Sequence, residues 1–185
     1  MDTEVTMPES LTATDLLFEA ASFAARAHRH QVRKDGQTPY AAHPFRVCLV
    51  VQYVFGIDDP KVLTTALLHD TIEDTTTDYD DIAERFGADV ARWVAALTKD
   101  MRLEEAAREA DYHRVLASAE WPVTICKLAD IYDNLSDSKT LSAKGRERGM
   151  IRAWQYLHAI HATLPPQATA AYAIVEQKLN AMQSG

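Results

Sequence analysis

The chain has 185 residues, 47% hydrophobic and 25% charged, the profile of an ordinary globular domain long enough to bury its own core. Nineteen basic against 27 acidic residues give a formal net charge of −8 with no basic block, which argues against nucleic acid or an anionic membrane as a partner. No apolar run approaches the ~20 residues of a membrane span, residues 1–10 lack the pattern of a secretion signal, and Cys48 and Cys126 sit in apolar runs without a C-x-x-C, so the expected setting is the cytoplasm with both thiols reduced and buried.

Residues 1–11 read as a flexible lead-in. Thr12 or Thr14 can cap a first helix reaching about Gln31, with Leu17, Ala20, Ala21 and Ala24 at helical spacing. Arg33-Lys34-Asp35-Gly36 is a polar turn, and His43-Pro44 opens a second helix through the apolar stretch 45–55, stopping near Gly56. Asp59-Pro60 caps a third helix reaching about Ile72. Asp78 caps a short helix ending at Phe86-Gly87, and 88–98 forms another with Val90, Val94 and Leu97 on one face. The charged segment 103–119 is helical and more exposed than its neighbours. Pro122 starts a helix carrying 123–136, and helices at about 146–162 and 167–182 flank Pro165-Pro166. No period-2 segment emerges, so the expected fold is all-α: one domain over 12–185, a compact irregular bundle of eight to ten helices.

The segment that carries chemistry is Ala66-Leu67-Leu68-His69-Asp70-Thr71-Ile72-Glu73-Asp74. On a continuous helix with His69 at zero, Glu73 falls near about 40°, Asp70 near about 100° and Asp74 near about 140°. The carboxylates then continue a face that begins apolar at Val62, Leu63 and Ala66. Acids at a helix C-terminus oppose the macrodipole, and acids aimed toward a core need a cation. The plain alternative is a last helical turn that has emerged into water.

Two candidate partners lie elsewhere. His43 opens the second helix, and Asp130 shares a stripe with Lys127 and Asn134 beside the apolar Leu128, Ile131 and Leu135. Two imidazoles and two carboxylates form a mixed nitrogen–oxygen set with open positions, suited to Mn²⁺, Fe²⁺ or Zn²⁺. A metal held there would lower the pKa of a bound water. His43 as a helix cap only, Arg33-Lys34 as a solvated turn and Lys127 as an ion-pair partner are the structural readings of the same residues. Asn134 as a plain hydrogen-bonding residue is another.

An isolated His followed by His-Asp and a distant Asp resembles the HD phosphohydrolase superfamily. The wider match is to the RelA/SpoT-type alarmone hydrolase domain. It is carried by Ala27-His28-Arg29-His30-Gln31-Val32-Arg33-Lys34-Asp35-Gly36, Thr38-Pro39-Tyr40, His43-Pro44, the His69-Asp70 segment through Thr75, Arg85-Phe86-Gly87, and Lys127-Leu128-Ala129-Asp130 with Asn134-Leu135, in family order. In extent the chain resembles the stand-alone small alarmone hydrolases, and the fold implied is an HD-domain bundle. The resemblance implies that His43, His69, Asp70 and Asp130 hold a divalent ion, usually Mn²⁺, and that Glu73 and Asp74 orient the attacking water and manage its proton. It implies that Arg33 and Lys34 contact the guanine and its phosphates, with Asn134 at the ribose and phosphate end; Lys127 is suited to add a point charge. The implied reaction is hydrolysis of the 3′-diphosphate of (p)ppGpp, a small nucleotide, to GDP or GTP and pyrophosphate.

After Asp130 the chain departs from the pattern. Ile131 and Ser136 stand where many relatives carry basic residues, Asp133 stands where His or Tyr is usual, and Asp137 follows. The departures motivate a second reading, a phosphatase of another 2′- or 3′-phosphorylated nucleotide such as NADPH or an adenosine alarmone. A third is a nucleotide-binding protein without turnover, which the Glu73-Asp74 pair argues against. Oligomeric state and the role of the two C-terminal helices stay open.

Overall fold

The computed structural model describes residues 12–183. The expected lead-in, 1–11, lies outside the described residues. The architecture is all-α. Helix α1 (Ala13–Ala27) opens on a reciprocal cap: the Thr12 hydroxyl accepts from the Asp15 N–H and the Asp15 carboxylate accepts from the Thr12 N–H. It ends at Ala27, before the expected Gln31, because residues 28–31 close a turn through the Gln31 N–H and the His28 carbonyl. The polar turn that follows is knit by Asp35, which accepts from the Gln37 and Thr38 N–H groups at 2.9 Å each, with Gly36 at φ 73°.

Helix α2 (Ala42–Leu49) runs on into a wider turn, Val50–Val54, in which the Phe55 N–H reaches the Val50 carbonyl five residues back. Gly56, at φ 71°, ends it as expected. Helix α3 (Pro60–Leu68) starts on the Asp59 side chain, which accepts from the Lys61 and Val62 N–H groups. Helices α4 (Thr71–Asp74), α5 (Tyr79–Phe86), α6 (Ala88–Leu97), α7 (Glu105–Leu116), α8 (Trp121–Ser136), α9 (Ala143–His161) and α10 (Thr169–Gln183) follow. Tight 3₁₀ turns, Asp137–Thr140 and Pro166–Ala168, precede the last two.

Every residue of α3 from Val62 to Leu68 is buried, because the helix sits between two cores. Val62, Leu63 and Ala66 join Ile125, Leu128, Leu157 and Leu179 in the larger one, built around α8. Leu67 and Leu68 join Ala20, Ala24, Ile82 and Val90 in the smaller one. Burying each large apolar side chain contributes roughly 1.5–3 kcal/mol, so the start of the His-Asp segment rests on a firmly anchored, buried helix. Helix α7 buries only Tyr112 and Leu116, which anchor it, and is otherwise half-buried or exposed, as its charge predicts. Cys126 is buried but Cys48 only half-buried, because Cys48 packs at the edge of both cores. Among the described residues no helix is long and apolar enough to cross a membrane.

Candidate active site

The expected continuous helix to Ile72 is broken. α3 ends at Leu68, and a separate short helix begins at Thr71. Side chains compete here for the last carbonyls of α3. His69 Nδ1–H donates to the Ala66 carbonyl at 2.9 Å, and the Thr71 hydroxyl donates to the Leu68 carbonyl at 2.7 Å. The helical wheel drawn through His69 therefore does not apply beyond it. Asp70 precedes α4, with Glu73 and Asp74 in its single turn, so these two acids are not part of the last turn of α3.

The break aims His69 and Asp70 at His43 from α2 and Asp130 from α8. His43 Nε2 stands 3.2 Å from Asp130 Oδ1 and 3.4 Å from Asp70 Oδ2. His69 Nε2 is 3.1 Å from Asp70 Oδ1 and 3.9 Å from Asp130 Oδ1. Donor atoms of His43, His69 and Asp130 all lie within 4.8 Å of one another. His69 Nε2 is fully buried and makes no hydrogen bond, although its Nδ1 is satisfied. His43 donates Nδ1–H to Asp133 Oδ2 at 2.7 Å, which likewise turns the Nε2 lone pair toward the cluster. Two lone pairs and two carboxylates converging in a buried place fit a divalent cation.

The electrostatics agree with the geometry. Burial alone would disfavour the His43 imidazolium, but Asp130, Asp133 and Asp70 outweigh it and raise its pKa well above the ordinary value. His69 is raised too, Asp70 outweighing burial. Burial works against the Asp70 anion, yet His69 and His43 hold that carboxyl well below the usual range. Lys127 and His43 do the same for Asp130. The cluster keeps its carboxylates anionic and attracts positive charge.

Glu73 and Asp74 line the same cleft, a cavity of about 260 Å³. Burial pushes both carboxyls up. Glu73 Oε2 accepts the Lys99 backbone N–H at 2.8 Å. The Tyr40 hydroxyl lies 2.7 Å from Asp70 Oδ2 and 2.9 Å from Asp74 Oδ2. The Tyr40 ring leans on His28 at 4.7 Å and meets His43 edge-on at 5.8 Å.

Lys127 pairs with Asp130 at 2.9 Å, the ion-pair reading of that residue, and also lines the cleft. Its ammonium lies 4.5 Å from the Tyr156 ring centroid and 5.1 Å from that of Tyr112. Lys99 approaches the same two rings at 5.3 and 5.2 Å and pairs with Glu109 at 3.1 Å.

A wider cavity of about 500 Å³ adjoins, between the start of α9 and the end of α8. Arg33, Lys34 and Asn134 line both cavities. Arg33 donates to Asp137 Oδ2 and, at 3.0 Å, to Asn134 Oδ1, while Asn134 donates to Asp130. Lys34 is exposed at the rim. Asp133, one of the departures from the family pattern, has its side chain 3% exposed behind His43, where Arg46 also grips it. Ile131 lines the wider cavity; Ser136 is exposed and donates to the Tyr132 carbonyl.

All ten residues expected at the site therefore stand on one pair of adjoining cavities. Sequence reasoning missed Tyr40, Arg46, Lys99 and Glu109, and with them Arg148 and Arg152 of α9, which line the wider cavity. Tyr40 lies in the Thr38-Pro39-Tyr40 motif, and Arg148 and Arg152 are four apart on one helix face; the other three carry no local signal.

Residues 20–162 match the HD domain family. A Xenopus tropicalis protein named guanosine-3′,5′-bis(diphosphate) 3′-pyrophosphohydrolase MESH1 is 40% identical over 131 residues, 70% of this chain and 73% of its own length. The Homo sapiens protein of that name is 42% identical over 130 residues, again 70% and 73% of the two chains. A solved structure described as a metazoan ortholog of SpoT that hydrolyzes ppGpp superposes with a TM-score of 0.77 at 29% identity, covering 94% of this chain and 98% of that one.

Proposed function

The chain belongs to the HD domain family, and from that premise we propose that it hydrolyses the 3′-diphosphate of guanosine alarmones, (p)ppGpp, releasing pyrophosphate and leaving GDP or GTP. The observation that supports this best is the convergence of His43, His69, Asp70 and Asp130, with Glu73 and Asp74 on the wall of the same cleft. The relatives' names supply the substrate. The reading takes residues 12–185 as one catalytic unit acting in the cytoplasm, without nucleic acid as a partner.

His43, His69, Asp70 and Asp130 would hold one divalent ion, Mn²⁺ in this reading, with Fe²⁺ or Zn²⁺ also suited to the donors. Such an ion supplies Lewis acidity and acidifies water at neutral pH. The chain does the rest. Asp133 and the Ala66 carbonyl fix the tautomers of the two imidazoles. Glu73, with Oε2 committed to Lys99, has Oε1 left to accept the water proton. Asp74, joined to Asp70 through Tyr40, keeps the second carboxylate in reach of that proton. Lys127 and Lys99 bring ammonium charge to the cleft, where phosphoryl oxygens gain charge as the P–O bond to the ribose 3′-oxygen breaks. Arg33, Lys34 and Asn134 face the nucleoside side.

The test is a panel of 3′-phosphorylated nucleotides with Mn²⁺, products resolved by chromatography. Pyrophosphate from guanosine tetraphosphate is expected. Orthophosphate from NADPH or an adenosine nucleotide would favour the phosphatase reading, which draws on the apolar Ile131 in the wider cavity.

A further inference from the structure

Asp133, Asp137 and Arg46 belong to none of the motifs, and two of them are departures from the family pattern. The structure joins them into a circuit. His43 Nδ1–H donates to Asp133 Oδ2 at 2.7 Å. Arg46, one turn along α2, holds both oxygens of that carboxylate, Nε to Oδ1 at 2.6 Å and a terminal nitrogen to Oδ2 at 3.0 Å. The same terminal nitrogen lies 3.1 Å from Asp137 Oδ2. Asp137 Oδ2 in turn accepts from Arg33 Nε at 3.1 Å and from its terminal nitrogen at 3.0 Å. Arg33 returns to the cluster by the other side, through Asn134 to Asp130.

Each link has a physical reason. Asp133 is buried and needs cationic partners, and the flat guanidinium of Arg46 offers two parallel N–H groups to it. A lysine could neutralise Asp133 but could not present the same fork to it while reaching Asp137. Arg33 is 11% exposed, so its place in the pocket depends on where Asp137 is held.

We propose that Arg46 is a positioning residue that, through Asp133 and Asp137, ties His43 of the metal cluster to Arg33 of the nucleotide pocket. The inference rests on the functional reading above and deepens it. Arg46 itself lines neither of the two cavities. It sets the imidazole on one side and the guanidinium on the other, so that the two halves of the site are held in register.

The test uses the full chain and separates the arms. Mn²⁺ affinity is titrated by the electron paramagnetic resonance of the free ion, and KM and kcat for guanosine tetraphosphate are measured at saturating Mn²⁺. Asp133→Asn should weaken Mn²⁺ binding ~10-fold with little change in KM. Asp137→Asn should raise KM ~5-fold or more with Mn²⁺ affinity kept. Arg46→Met should do both, and Arg46→Lys should recover the Mn²⁺ arm but not KM. An Arg46→Met protein that folds and matches wild type in both arms overturns the proposal. So does a pair of aspartate variants that each shift both arms alike, which is how a merely structural role behaves. Should Arg46→Met fail to fold, the aspartate pair decides. Should the wild type release no pyrophosphate, the functional reading fails separately; wild-type Mn²⁺ affinity in both Asp133→Asn and Arg46→Met would then overturn this inference.

Discussion

The Lys99 backbone N–H donates to Glu73 Oε2 at 2.8 Å. A segment that follows α6, far along the chain, thus fixes one oxygen of the acid in the short α4. Burial holds the Glu73 carboxyl above its ordinary range, against the pull of that donor and of the Lys99 charge. Only the anion can take a proton, so activity is present above the raised pKa and is lost as pH falls through it. The acidic limb of the pH–rate profile should stand above the 4.5 of a free glutamate. Glu73→Gln should lower kcat by ~10²–10⁴ and abolish the limb, with Mn²⁺ affinity kept. An unchanged limb in that variant would assign the proton to another group.

The Tyr40 hydroxyl has one proton and two carboxylates beside it. Tyr40→Phe keeps the ring against His28 and His43 and deletes that donor. Mn²⁺ affinity should fall ~10-fold, as for other partners of metal-holding groups, and kcat should fall with it. Unchanged values for both would leave the hydroxyl without a role.

Asp70→Ala should lose Mn²⁺ binding and turnover together. Asp130→Ala should lose both and also unpair Lys127, which is 8% exposed. Removing one partner of a buried pair typically costs ~3–5 kcal/mol. Urea unfolding of Asp130→Ala should therefore show a loss of that order, larger than for Asp70→Ala.

Thr71→Val conserves shape and removes the hydroxyl that donates to the buried Leu68 carbonyl. An acceptor left unpaired costs ~1–3 kcal/mol, to be read by urea unfolding. Because that bond shapes the break between α3 and α4, kcat should drop more than Mn²⁺ affinity does.

The caps and the glycine stops were readable in the residues: Thr12, Asp59 and Asp78 start helices where expected, and Gly56 and Gly87 end them. The His-Asp cluster was legible because His43, His69-Asp70 and Asp130 stand in recognisable motifs, and the structure brings their side chains together. The break after Leu68 was not. It depends on His69 and Thr71 bonding to the last carbonyls of α3, while periodicity counts only apolar spacing. Arg46 and Asp133 were hidden for another reason. They are 87 positions apart and become partners only because α2 packs on α8. In the sequence Asp133 stood out only as a departure from the family pattern, and the fold gives it a place behind His43.

The hydrogen bond that position 99 makes to Glu73 comes from main chain, so any residue except proline can supply it. What matters is the path taken between α6 and α7. A relative could keep every histidine and aspartate of the signature and still be silent, having lost or gained one residue in that connection. On the role proposed for Glu73, the length of that connection would set turnover without touching the proposed ion ligands, a variable that motif matching does not register.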